Sequence, residues 1–164
     1  MAEAPLSLMD GDVYRRIAGH WLTGVAIVTS HNGVGAPVGL TMSAVTPLSL
    51  SPPLFLVCLN LGSETLLAIE ASRRFAINIL GHDGVAACQA FARKGSDKFA
   101  GVASRTGAFG VPILDGAIAH VECLLHEVFV VGDHKMVVGA AVAGDVTECE
   151  PIAYYRGAFH KLQS

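Results

Sequence analysis

Residues 39–55, GLTMSAVTPLSLSPPLF, thread five hydroxyl side chains (Thr41, Ser43, Thr46, Ser49 and Ser51) through an otherwise apolar run. In an extended chain side chains alternate, so Thr41 and Ser43 share one face while Met42 and Ala44 take the other. Small donors in this pattern suit a sheet edge that faces water. They equally suit the rim of a flat polar heterocycle, which hydroxyl and backbone groups can approach closely. Farther along, Asn60, Ser63 and Thr65 lead into an apolar helical run. Either Ser63 simply caps that helix, or the first free N–H groups of the helix receive an anion. A strand that reads an edge and a helix mouth that reads a phosphate are together what a flavin nucleotide needs.

Other groupings point away from other chemistries. His120, Cys123 and His126 invite a metal reading. Their Val- and Phe-rich surroundings favour a strand, in which the two histidines stand roughly 20 Å apart at ~3.3 Å per residue and Cys123 faces the other way. No metal site is therefore expected there. Gly33, Gly35 and Gly39 form a G-x-G-x-x-x-G run, one residue too long for a dinucleotide fingerprint and followed by a strand rather than a helix. They read as hairpin geometry. There is no Walker loop, no G-x-S-x-G elbow and no histidine singled out as a base for a serine or cysteine.

The elements that must position these residues follow from periodicity. Asp10 or Asp12 can cap a first helix carrying Val13 and Ile17 on one face and ending at Gly24. GVAIVTS and PVGLTMSAVT read as strands joined through Asn32-Gly33, a hairpin signal. LFLVCLN is a third strand, too apolar to be half-exposed. SETLLAIEA is a short helix capped by Ser63, and RFAINIL alternates Phe75, Ile77 and Ile79 as a strand. Asp83 can cap a helix through GVAACQAFARK with Gly95 as its stop. After the glycine-broken stretch SDKFAGVASRTGAFGVP come two long strands, IAHVECLLHEVFVV and KMVVGAAVAGDVTE, hinged at Gly132-Asp133-His134. The tail IAYYRGAFHKL adds a last short strand. Hairpin-joined strands with inserted helices point to a mainly β (α+β) fold, an antiparallel barrel rather than a doubly wound sheet.

The chain has 164 residues, 52% hydrophobic and 15% charged, with a net charge of −3. Length favours one domain spanning 1–164, and the surplus of apolar residues favours a homodimer. No basic block suggests nucleic acid or a membrane surface. MAEAPLSLMDGDVYRR has no basic region followed by an apolar one, so no signal peptide is expected, and MVVGAAVAG is too short to span a bilayer. Cys58, Cys88, Cys123 and Cys149 are scattered among apolar neighbours, as expected of small buried hydrophobes in a reducing cytoplasm.

TGVAIVTS, GLTMSAVTPLSLSPPLFLVCLN, SETLL, DKFAG, GDHKMVVG and PIAYYRGAFHKL, in this order and spacing, resemble the short-chain flavin reductases. These are NAD(P)H:flavin oxidoreductases that serve as the reductase components of two-component flavin-dependent monooxygenases. The resemblance implies an antiparallel Greek-key split β-barrel, homodimeric, that binds FMN or FAD near the subunit interface. It implies that Thr41, Met42, Ser43, Ala44, Val45 and Thr46 line the isoalloxazine, with Thr23 and Gly24 beside it. It implies that Asn60, Ser63 and Thr65 hold the ribityl chain and phosphate, and that Lys98 and Phe99 close that end. His134, with Tyr155 and Arg156, would contact NADH, NADPH being the less favoured donor because no basic cluster for a 2′-phosphate is evident. Read from sequence alone, Lys98 can equally be a surface lysine paired to Asp97, Arg156 an interface charge and His134 a turn residue. Ser51 stands where many relatives carry an acidic residue. The partner would be a separate monooxygenase receiving reduced flavin; the alternative is a non-catalytic flavin-binding module on the same barrel. Hydride transfer requires no nucleophile and no metal, only that donor and acceptor be held about 3–3.5 Å apart, so the lack of a triad fits.

Overall fold

The computed structural model describes residues 7–95 and 97–162. The first residues of the N-terminal stretch read above for a leader fall outside these, as does Ser96. Among the described residues three short α-helices, α1 (Gly11–Ala18), α2 (Glu64–Ser72) and α3 (Val85–Ala92), accompany twelve strands. Seven of the strands form one antiparallel sheet: β2 (Ala26–His31), β3 (Pro37–Met42), β4 (Val45–Leu50), β5 (Pro53–Asn60), β6 (Arg74–Leu80), β9 (Ala117–Val131) and β10 (His134–Val146). Their order is β3-β2-β6-β9-β10-β5-β4. The fold is thus mainly β and antiparallel, as the hairpin pattern predicts.

One difference from the sequence reading organises the rest. PVGLTMSAVT is not one strand: it breaks at Ser43-Ala44, leaving β3 on one edge of the sheet and β4 on the other. Two residues cannot span an open seven-stranded sheet, whose neighbours lie about 4.8 Å apart, so the sheet must curl until its edges meet at this corner. The Ala44 carbonyl accepts from Cys58 N–H at 3.0 Å and ties the corner to β5. Val28, Val57, Leu66, Ile69, Phe75, Ile77 and Val137 fill the curl, none more than 1% exposed. Gly139 on β10 permits the closest approach in this core, because a Cβ there would lie 2.4 Å from the Phe75 ring.

Several elements depart from expectation for local reasons. α1 is capped by Asp10, whose carboxylate accepts from Asp12 and Val13 N–H, but it stops at Ala18 rather than Gly24. Thr23-Gly24 form β1, drawn out of the helix by pairing with β11 (Ile152–Tyr155). The tail is a hairpin rather than one strand: β11 turns through Arg156 (φ 50) and Gly157 (φ 82) into β12 (Ala158–Lys161). Asp83 makes no cap; a 3-10 turn at His82–Gly84 precedes α3, and the helix ends at Ala92, short of Gly95. The glycine-broken stretch holds β7 (Ser104–Thr106), paired with β8 (Pro112–Leu114). On β5 only Val57 and Leu59 are buried, while Leu54, Leu56 and Cys58 are half-buried. Exposed Phe129, which pairs with Met136 as Cys58 does on the other side, continues this outer face. The histidines and Cys123 of the discarded metal reading all fall on β9.

A buried polar knot joins the short hairpin to the sheet. Asn78 is fully buried and donates to the Ile27 carbonyl and Thr29 Oγ1, each at 3.0 Å, while Leu114 N–H donates to its Oδ1 at 2.8 Å. Asn78→Leu, close in volume, leaves these groups unpaired in the interior and is expected to lower the unfolding free energy by about 2–4 kcal/mol. Urea denaturation would register this as a reduced midpoint at unchanged slope.

Candidate active site

Two cavities open side by side along β3. The first, about 560 Å³, lies at the Ser43-Ala44 corner. Met42, Ser43, Ala44, Val45 and Thr46 line it from the corner, and Thr23 and Gly24 line it from β1. Ser43 falls in the break between strands, so its hydroxyl is released from the alternation of β3. Thr23 Oγ1 is buried with no hydrogen-bond partner, the single such side-chain atom among the described residues. An orphaned hydroxyl on a cavity wall is a donor or acceptor awaiting a ligand. Trp21, Leu22, Phe55 and Tyr154 complete an apolar wall that the sequence reading did not include. Trp21-Leu22 fell inside the first helix as expected from sequence, and only the earlier end of α1 at Ala18 frees the pair to line the cavity.

Thr41 does not join this group. Its hydroxyl donates to the Cys88 carbonyl of α3 at 2.7 Å, and it lines neither cavity. The expectation that Thr41 and Ser43 share a face assumed an unbroken strand; the corner separates them.

The second cavity, about 770 Å³, begins at Gly39 and Leu40 and reaches the start of α2. Asn60, Ser63, Thr65, Lys98 and Phe99 all line it, so the structure gathers every residue assigned to the phosphate end. Ser63 caps α2, its Oγ accepting from Leu66 N–H at 3.3 Å, and Asn60 Oδ1 accepts from Gly62 N–H at 2.9 Å. The capping reading and the anion reading coexist, because the N–H groups of Glu64 and Thr65 still have no carbonyl within the helix to meet. Lys98 is half-buried and donates to the Gly39 carbonyl at 3.0 Å rather than pairing with Asp97. Burial pulls its pKa below the ordinary 10.5, and the Glu64 carboxylate offsets part of that shift. Phe99 is set by an edge contact with Phe91, ring centres 4.9 Å apart. Arg93 and Lys94 at the rim were not foreseen, although a basic dipeptide at a helix end was visible.

The three residues assigned to NADH are divided. Arg156 N–H donates to the Gly19 carbonyl at 2.9 Å and Tyr155 meets the His20 ring edge-on at 5.9 Å, both beside the first cavity. His134 instead pairs with Asn60 across β10 and β5, beside the second. Its Nδ1 lies 2.6 Å from Asp133 Oδ1, and this hydrogen bond holds the exposed Asp133 carboxyl below its usual range.

From Gly39 to Ser43 is four strand residues, ~13 Å at ~3.3 Å each. The two cavities therefore present an apolar slot with hydroxyl side chains in one and cations with a helix start in the other. The wall of the first cavity carries no titratable side chain except Tyr154. Burial pushes the Cys88 thiol up to about 11 and the Cys123 thiol up to about 12, Glu122 adding to the latter, so neither is a ready nucleophile. The first cavity can bind and orient, and its lining holds no acid–base pair.

The chain belongs to the flavin reductase-like domain family, whose model matches residues 18–163. It is 41% identical to the reductase component of a 4-nitrophenol 4-monooxygenase/4-nitrocatechol 2-monooxygenase from Rhodococcus opacus, over 97% of this chain and 85% of that one. Among solved structures it superposes on nitrilotriacetate monooxygenase component B from Mycobacterium thermoresistibile with a TM-score of 0.89 at 37% identity, covering 93% and 86% of the two chains. The NADH:FAD oxidoreductase SgcE6 of Streptomyces globisporus, solved with NAD and FAD fragments, gives 0.88 at 31%, covering 96% and 98%.

Lys98 yields a pH prediction. A lysine holds a phosphate only while protonated, so FMN affinity is expected to fall as pH rises through a pKa depressed below 10.5. Riboflavin, which lacks the phosphate, should show no such fall. Fluorescence titrations of both ligands across alkaline pH check this.

Proposed function

We propose that this chain is an NADH-dependent flavin reductase that passes reduced FMN or FAD to a separate monooxygenase. The observation that carries the reading is the pair of cavities along β3, one a slot at Ser43-Ala44 and the other cationic at Lys98. The names of its relatives support it: several are reductase components of monooxygenases, and one was solved with NAD and FAD fragments. When bound, flavin supplies the chemistry, accepting hydride at N5 from the nicotinamide C4.

The chain's own residues bind, orient and exclude water. Ser43, Thr46 and the unpartnered Thr23 hydroxyl offer hydrogen bonds to the ring edge, and Met42, Ala44 and Val45 offer a surface flat enough for it. Donors placed there favour negative charge on the ring as it is reduced. Lys98, Ser63 and the start of α2 receive the phosphate. Tyr155 and Arg156 flank the ring end and His134 the other, which suits a dinucleotide laid along the groove.

The exposed apolar strip of β4, β5, β9 and β10 suits a second copy, and the meeting of both sheet edges at one corner suits a split barrel. We take residues 1–164 as one such domain, working in the cytoplasm.

The test is anaerobic. FMN mixed with the protein and NADH under nitrogen is expected to lose its yellow absorbance catalytically. Colour that persists at catalytic protein concentrations would instead make the chain a flavin-binding module without reductase activity.

A further inference from the structure

Glu64 opposes the ligand proposed for the second cavity from the very start of the helix that would receive it. It is the first residue of α2 and lines the second cavity together with Ser63, Thr65 and Lys98. Among the described residues it takes part in no ion pair. Lys98, the cation held nearest β3, already donates to the Gly39 carbonyl. The cavity's charged lining is Arg93, Lys94 and Lys98 against Glu64 and Asp97, one formal positive charge in excess. A flavin phosphate carries close to two negative charges at neutral pH. It must therefore settle near the exposed Glu64 carboxylate, at a helix start whose N–H groups would otherwise favour it.

A carboxylate at the first turn strengthens a helix by complementing its dipole, which is the ordinary reason to find one there. Here the same charge stands where the ligand's charge must go. Coulomb repulsion in a partly solvated cavity shortens the bound lifetime without altering the ring slot some four residues away along β3.

We infer that Glu64 loosens the hold on flavin phosphate, so that flavin exchanges as a substrate rather than remaining a resident group. The inference rests on the reading that the second cavity takes the phosphate. A reductase whose product must leave for another enzyme gains from such a release element. Lys98 then recruits and Glu64 expels, and their balance sets the residence time.

The experiment titrates FMN and riboflavin against the full chain and its E64Q, E64K and K98A variants, following flavin fluorescence. Glu64→Gln is expected to tighten FMN by about threefold or more and Glu64→Lys further, with riboflavin affinity unmoved. The gap between wild type and Glu64→Gln should narrow in about 1 M salt, where exposed charges are screened. Stopped-flow displacement should assign the gain to a slower off-rate. FMN binding that is unchanged or weaker in Glu64→Gln overturns the inference. Lys98→Ala separates the two levels. If it fails to weaken FMN relative to riboflavin, the phosphate reading itself falls. If it does weaken FMN while both Glu64 variants behave as wild type, only the role of Glu64 falls.

Discussion

Everything in this structure hangs on the turn between β3 and β4. Consecutive strands normally pair with each other, yet these two lie at opposite edges of a seven-stranded sheet, with only Ser43 and Ala44 between them. The sheet has to curl to satisfy that connection, and the hydrogen bond from Cys58 N–H to the Ala44 carbonyl fixes where the curl closes. Ser43 and Ala44 are small and exposed at the corner. Beside them opens a slot with an apolar wall and hydroxyl side chains in its lining. In the proposed reading the corner that closes the fold is also the site.

The other end of the groove follows from the same topology. β5 leaves the corner and delivers Asn60 and Ser63 to the start of α2, while β3 runs back to Gly39. Gly39 can lie against α3 only because it has no side chain: a Cβ would stand 2.6 Å from the Phe91 ring. Phe91 in turn seats Phe99, which brings Lys98 to the Gly39 carbonyl. Packing of two aromatic rings thereby places a cation at a set point along the strand. Cofactor chemistry asks little more of a protein than such fixed points, since the reacting atoms belong to the ligands.

Much of this was legible in the residues. Alternation in RFAINIL, the apolar length of the two late strands and the Ser63 cap gave the mainly β architecture and the helix start without any long-range information. The hydroxyl segment was visible as a candidate, and its residues Ser43 to Thr46 line the first cavity. Its break was not visible, because residues 37–50 all tolerate an extended backbone and nothing local separates one long strand from two. Only pairing with β5 on one side and β2 on the other decides it. Thr41 was misplaced for the same reason. The tail hairpin was hidden because Arg156-Gly157 lacks the usual Asn-Gly signature, though Gly157 was a fair hint. Glu64 was legible only as a first-turn helix acid; its proximity to Lys98 is tertiary.

Amide resonances of the isotopically labelled protein test directly whether the corner and the helix start hold the two ends of one flavin. On adding FMN, the amides of Ser43–Thr46 and those of Ser63–Leu66 are both expected to move, whereas riboflavin should move the corner set far more than the helix set. Shifts gathered instead on the outer face of β4, β9 and β10, with the corner amides unmoved, would contradict the claim.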